Sequence, residues 1–226
     1  GSHEVMASQL RLSGQVAVVI EAGCHVDAEG RVWFREEGVA DAETKAATLQ
    51  ALIDWCGGAS RPLDRRGKAT LAAFLAPGNS GDSRRTISLG RTLLSRRDGH
   101  VVLVRECRDI PTLVLDPGAE GVWDRRYWVR NLSRFSQLSV RGGGFVKVMP
   151  QFSRGAGDYR ADFDLRDGVA GGFVCRPLLG RNSHILPVQR LPMAQALARL
   201  AGAVPFPACP WPEPVEMPEA VAGFRQ

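Results

Sequence analysis

Asp98-Gly99, set between two alternating apolar runs inside Arg84–Arg105 (RRTISLGRTLLSRRDGHVVLVR), constrains the fold more than any other feature of the chain. A two-residue hairpin turn needs positive φ at both central positions, and Asp-Gly meets that need. The stretch therefore reads as strand, tight turn at Gly90, strand, Asp98-Gly99 hairpin, strand. Leu93, Val101 and Leu103 are expected to face a core. Arginines flank these strands at Arg84, Arg85, Arg91, Arg96, Arg97 and Arg105. A small sheet fringed by guanidinium groups suits a phosphate backbone better than a small-molecule pocket, because each arginine fork can donate two hydrogen bonds to phosphate oxygens.

The charge balance agrees with that reading without deciding it. Net charge is +5 over 226 residues, and the only lysines are Lys45, Lys68 and Lys147, so the positive charge is nearly all arginine. A basic chain favours a polyanionic partner. An arginine- and alanine-rich composition also follows from a GC-rich genome. No apolar run is long enough to span a membrane. Cys24, Cys56, Cys107, Cys175 and Cys209 are widely spaced, and His3, His25, His100 and His184 do not cluster with them. No metal-ligand spacing results, and an odd cysteine count without a framework suggests a reducing, cytoplasmic compartment. Gly1-Ser2-His3 reads as a tag-cleavage scar, and the chain is expected to begin inside a longer protein.

Periodicity divides the chain into an α+β arrangement. Residues 14–35 suggest two strands, QVAVVI and RVWF, joined by a turn at Asp27–Gly30. A helix is expected from Asp41, as N-cap, to Cys56, with Leu49, Leu52, Ile53 and Cys56 on one face and Gly57-Gly58 ending it. A second helix is expected from Pro62 to Ala76, with Asp64 in its first turn and Leu63, Leu71, Phe74 and Leu75 buried. Together these read as an antiparallel helix pair. Further strands are expected at Thr112–Leu115, Gly121–Trp123 and Tyr127–Asn131, and a short helix at Pro192–Ala201. The proline-rich tail Val204–Pro218 is expected to be extended. The implied units are a helix-pair region over 4–78 and a mainly antiparallel, β-rich and finally Pro-rich region over 79–226, with a possible sub-boundary near 110.

Several segments resemble chemistry without meeting its requirements. Ser80-Gly81-Asp82-Ser83 is short of the SGGxDS pyrophosphate loop and follows a helix, whereas such a loop should follow a buried strand and open a helix. Arg141-Gly142-Gly143-Gly144 lacks the Lys-Ser/Thr of a P-loop and reads as a glycine turn. Asp158, Asp162, Asp164 and Asp167, with Glu120 and Asp124, offer carboxylates for Mg²⁺ in a self-contained metal-dependent enzyme, but read better as solvated loop carboxylates beside Arg160 and Arg166. No hydrolase or zincin signature is present. VWDRRYWVRN (Val122–Asn131) interleaves Trp123, Tyr127 and Trp128 with Arg125, Arg126 and Arg130. Such a mixture suits stacking on unpaired bases and gripping phosphates, and equally suits a strand with its aromatics turned inward.

In order, Gly57, Gly58, Pro62, Arg65 and Arg66, then Leu89, Gly90, Arg96, Arg97, Arg105 and Glu106, then Trp123, Asp124, Arg126 and Tyr127 resemble motifs in the C-terminal half of tRNA(Ile)-lysidine synthases, most closely those of alphaproteobacteria. Arg91-Thr92 stands where that family usually has Gly-Cys, and Cys107 where it has proline. The resemblance implies a parent ligase that uses ATP, with Mg²⁺, to adenylate the wobble cytidine of an isoleucine tRNA, after which lysine displaces AMP. That chemistry belongs to an N-terminal domain with an SGGxDS loop, which this sequence lacks. The chain would then hold no catalytic residue and no cofactor. Its partner would be tRNA, with no membrane involved, and its contribution would be grip and orientation. The candidate RNA contacts are Arg65, Arg66, Lys68, Arg84, Arg85, Arg91, Arg96, Arg97, Arg125, Arg126, Trp128 and Arg130. A protein-interaction or structural domain with an arginine-rich surface is the other reading.

Overall fold

The computed structural model describes residues 2–39, 41–59, 61–76, 86–143, 149–154, 157–159, 169–170, 172–179, 188–204 and 206. The chain is α+β, with three antiparallel sheets among the described residues.

The first helix, α1 (Ser2–Gly23), replaces the strand expected at QVAVVI. Its buried residues are Ser13, Val16, Ala17 and Ile20, an i, i+3, i+4, i+7 set, while Val18 is exposed. A run of β-branched residues favours a strand locally, but burial of one helical stripe overrides that preference. The Ser13 hydroxyl accepts the Met193 N–H at 3.2 Å, and Glu21 pairs with Arg199, so both residues fasten α1 to the C-terminal helix.

β1 (Cys24–Val26) and β2 (Val32–Arg35) form the hairpin around the expected Asp27–Gly30 turn. Asp27 organises it by accepting the Arg31 N–H at 2.9 Å and the Trp33 indole N–H at 2.8 Å. α2 (Ala42–Cys56) follows the expected boundaries, and Asp41 caps it by accepting the Thr44 N–H at 2.8 Å. α3 (Arg65–Leu75) starts later than expected. Asp64 is its N-cap, not a first-turn residue. The carboxylate accepts the Gly67 N–H at 2.7 Å while the Asp64 backbone stays extended, which leaves Pro62 and Leu63 outside the helix.

β3 (Thr86–Leu89), β4 (Thr92–Arg97) and β5 (His100–Arg105) realise the two tight turns read from the sequence. Gly90 and Arg91 sit at φ 57° and 64°, and Asp98 and Gly99 at 48° and 75°, so both are type I′ turns. The five-stranded sheet has the order β1-β2-β5-β4-β3, with strands from both sides of residue 79. Leu93 does not face the core with Val101 and Leu103. Leu94 stands opposite Leu103 and Arg96 opposite Val101, so those positions share the inner face. The two-residue turn at Asp98-Gly99, which pairs Arg97 with His100, fixes this parity, and Leu94 is fully buried.

Beyond residue 110 lie β6 (Leu113–Leu115), β7 (Glu120–Trp123), β8 (Tyr127–Asn131), β9 (Leu138–Gly143), β10 (Met149–Arg154), β11 (Gly157–Tyr159), β12 (Val169–Ala170) and β13 (Phe173–Pro177). They form two four-stranded sheets, β11-β10-β9-β6 and β12-β13-β8-β7. Phe152 and Phe173 stack across these sheets with ring centroids 4.0 Å apart. Asn131 is buried, and its amide donates to the carbonyls of Leu115, Asp116 and Ser136. A 3-10 turn (Val188–Arg190) leads into α4 (Leu191–Ala201), which packs on α1 and joins the first core together with Leu179. The second core gathers Leu115, Trp123, Tyr127, Val129, Leu138, Val140, Phe152, Phe173 and Cys175.

Candidate nucleic-acid interface

Three turns meet where the two cores touch. The first is Gly57-Gly58 after α2, the second Gly90-Arg91, and the third Asp124-Arg125 between β7 and β8. A Cβ on Gly57 would lie 1.9 Å from the Gly90 carbonyl oxygen. Gly58, at φ +63°, passes so close to the Asp124 carbonyl that a Cβ would lie 2.7 Å from that oxygen. Glycine is needed at both because backbone meets backbone there. Asp124 and Arg125 take φ 50° and 59°, and the Arg126 N–H closes their turn on the Trp123 carbonyl at 3.0 Å.

The Asp124 carboxylate sits at this junction with its side chain fully buried, surrounded by three guanidinium groups. Arg105 binds it through both forks, Nε to Oδ2 at 3.0 Å and Nη2 to Oδ1 at 2.9 Å. Arg91 reaches Oδ1 at 2.6 Å, and Arg126 reaches Oδ2 at 2.7 Å. Arg91 also donates to the Gly57 carbonyl at 3.0 Å, so one side chain ties all three turns together. Burial alone would raise the pKa of Asp124. The Arg105 hydrogen bonds and the charges of Arg126 and Arg105 outweigh it and hold the carboxyl below its ordinary value. Burial and the neighbouring Arg105 lower the pKa of Arg91, against the pull of Asp124. Three guanidinium groups share the one carboxylate, and the junction opens to solvent at Arg91, whose side chain is 33% exposed.

The sequence-derived candidates separate into two groups. Arg91 and Arg126 belong to the junction, and Arg126 also lies over the rings of Trp123 and Tyr127 at 5.5 and 5.4 Å. Arg96 forms a two-pronged pair with Glu36 at 2.9 and 3.2 Å and covers the Phe74 ring at 4.8 Å, which joins α3 to the sheet. Arg65, Arg66 and Lys68 are exposed on the outer side of α3, opposite buried Gly67, Leu71 and Phe74. Arg97, Arg125 and Arg130 are exposed, and Trp128 is half-buried. Arg84 and Arg85 lie outside the described residues, as do Ser80–Ser83, Asp162, Asp164 and Asp167.

Sequence reading missed Asp124 as a centre, placing it among solvated or Mg²⁺-binding carboxylates, whereas arginines occupy both of its oxygens. It placed Arg105 in the arginine fringe of the sheet, whereas that residue is 1% exposed, and it did not single out Arg176. The available signal was that the resembled motifs each carry a glycine, an arginine or the aspartate, residues that need one another only when the chain is folded. Burial pushes the Cys56 thiol up to about 11 and the Cys175 thiol up to about 12, which suppresses the thiolate at neutral pH. Among the described residues no group of His, Cys, Asp and Glu is arranged to hold a metal ion, and no helix is long and apolar enough to cross a membrane.

No family model and no solved structure matches the chain. Over 61 residues the chain is 36% identical to the tRNA(Ile)-lysidine synthase of Rhizobium meliloti (strain 1021). That stretch covers 27% of this chain and 13% of the relative, so the similarity spans a small part of each protein.

Proposed function

We propose that this chain is a tRNA-recognition portion of a tRNA(Ile)-lysidine synthase, holding the RNA for lysine transfer carried out on another domain of a cytoplasmic parent enzyme. The 61-residue similarity to a protein of that name carries the reading. Exposed Arg65, Arg66 and Lys68 on α3, with Arg97, Arg125 and Arg130 at strand ends and turns, support it. Such contacts position a phosphate backbone without reading its sequence. The buried arginines act differently, since Arg91, Arg105 and Arg126 fix how the two cores meet and so where the exposed cations stand. ATP and Mg²⁺ belong to the parent's catalytic domain in this reading.

A filter-binding titration with unmodified tRNA at low salt checks it. Binding on the order of micromolar, competed by unrelated tRNA, is expected. Absence of binding, or binding competed by an acidic protein but not by RNA, would favour a protein-interaction domain instead.

A further inference from the structure

The sheet β12-β13-β8-β7 has a buried side formed by Tyr127, Val129, Asn131, Phe173 and Cys175. Trp128, Arg130, Val174 and Arg176 stand on the other side, because successive strand residues alternate. Trp128 and Arg176 are direct cross-strand partners, and the Arg176 guanidinium lies 5.8 Å from the indole centroid. Beside them is a cavity of about 290 Å³. Leu178 also lines it, and Val204 and Phe206, from the chain leaving α4, contribute an apolar stretch of wall. The Gln195 amide holds that wall by donating to the Phe206 carbonyl at 2.9 Å. Among the described residues that line the cavity none is a carboxylate. Arg130 is exposed two residues along β8 from Trp128, and Glu120 stands across from it on β7.

We infer that this cavity takes one unpaired nucleobase of a bound RNA, stacked against the Trp128–Arg176 pair, with the adjoining phosphate at Arg176 or Arg130. The inference rests on the RNA-binding reading above and specifies a site for it. A half-buried indole supplies a π-face for any base, and a guanidinium plane stacks equally well. Leu178, Val204 and Phe206 add apolar lining that a base can cover. Cations at the rim match the phosphates that flank a base and would repel a basic peptide. Its volume lies at the small end for ligand cavities and suits a single planar group. A duplex keeps its bases stacked and offers the cavity nothing, so the site discriminates strand state, not sequence.

The test uses the full chain and fluorescence anisotropy with labelled oligouridylate, blunt duplex RNA of the same length, and tRNA. Trp128→Ala is expected to weaken oligouridylate binding on the order of tenfold and to leave duplex binding unchanged. Trp128→Phe should retain most of the affinity. Arg176→Gln, at an exposed position that can change without disturbing the fold, should weaken oligouridylate binding and provides the reading if Trp128→Ala does not fold. Wild-type binding to all three RNAs that is indifferent to Trp128→Phe, Trp128→Ala and Arg176→Gln would overturn the base site alone. No binding of the wild-type chain to any of the RNAs would overturn both the site and the RNA-binding reading.

Discussion

Asp124 is the residue on which the junction depends. It is buried, it neutralises part of three arginine charges, and it joins turns far apart in sequence. Removing one member of such a group leaves buried charge uncompensated, which costs roughly 3–5 kcal/mol. Asp124→Asn preserves shape, removes the charge and turns one accepting oxygen into an N–H donor facing guanidinium donors, so a loss of that size is expected in urea unfolding. The pH dependence follows from the lowered pKa. A carboxyl whose folded-state pKa lies below its unfolded value of about 3.9 contributes fully above that value. The contribution is lost as pH falls through the folded-state pKa. Wild-type stability should therefore decline on acidification below about pH 4, and Asp124→Asn should lose this component of the decline. Arg91 occupies a left-handed backbone conformation that costs about 1 kcal/mol for a residue with a Cβ, and its contacts with Asp124 and the Gly57 carbonyl offset that cost.

At the scale of elements, local signals were legible where they were self-contained. Asp98-Gly99 specifies its turn through φ alone, and Asp41 caps α2 within four residues. Signals that depend on a distant partner were not. QVAVVI carries strand propensity, and its packing on α4 and α2 makes it helical. One local signal went unread: the Asp98-Gly99 turn pairs Arg97 with His100, which puts Leu94, and not the chemically equivalent Leu93, opposite Leu103. Arg96 resembles its neighbour Arg97, yet Glu36, 60 positions away, takes it out of the surface set. Glycines distinguish these cases experimentally. Gly14 in α1 has open space around its Cβ position, so Gly14→Ala should stabilise the helix by about 0.5–1 kcal/mol. Gly57→Ala drives a methyl into the Gly90 carbonyl and should destabilise by about 1–3 kcal/mol. Paired thermal melts of the two variants should shift in opposite directions.

Across the whole molecule, two hydrophobic cores are held in register by a buried arginine–aspartate junction, and exposed cations stand on both sides of it. The motifs that suggested an RNA partner thus divide into residues that build the platform and residues that face outward. Sequence order revealed the motifs, but not this division, because burial of Arg105 and Arg126 depends on contacts between the two cores. The most direct test measures tRNA affinity across a salt series for the wild-type chain and for the triple variant Arg65→Gln, Arg66→Gln, Lys68→Gln. Each lost phosphate contact should reduce the slope of log affinity against log salt by about 0.7–0.9, so the triple variant should bind with a slope roughly 2–3 units shallower and an unchanged unfolding midpoint. Salt-independent tRNA binding, or equal slopes for the two proteins, would contradict this assignment of the α3 surface.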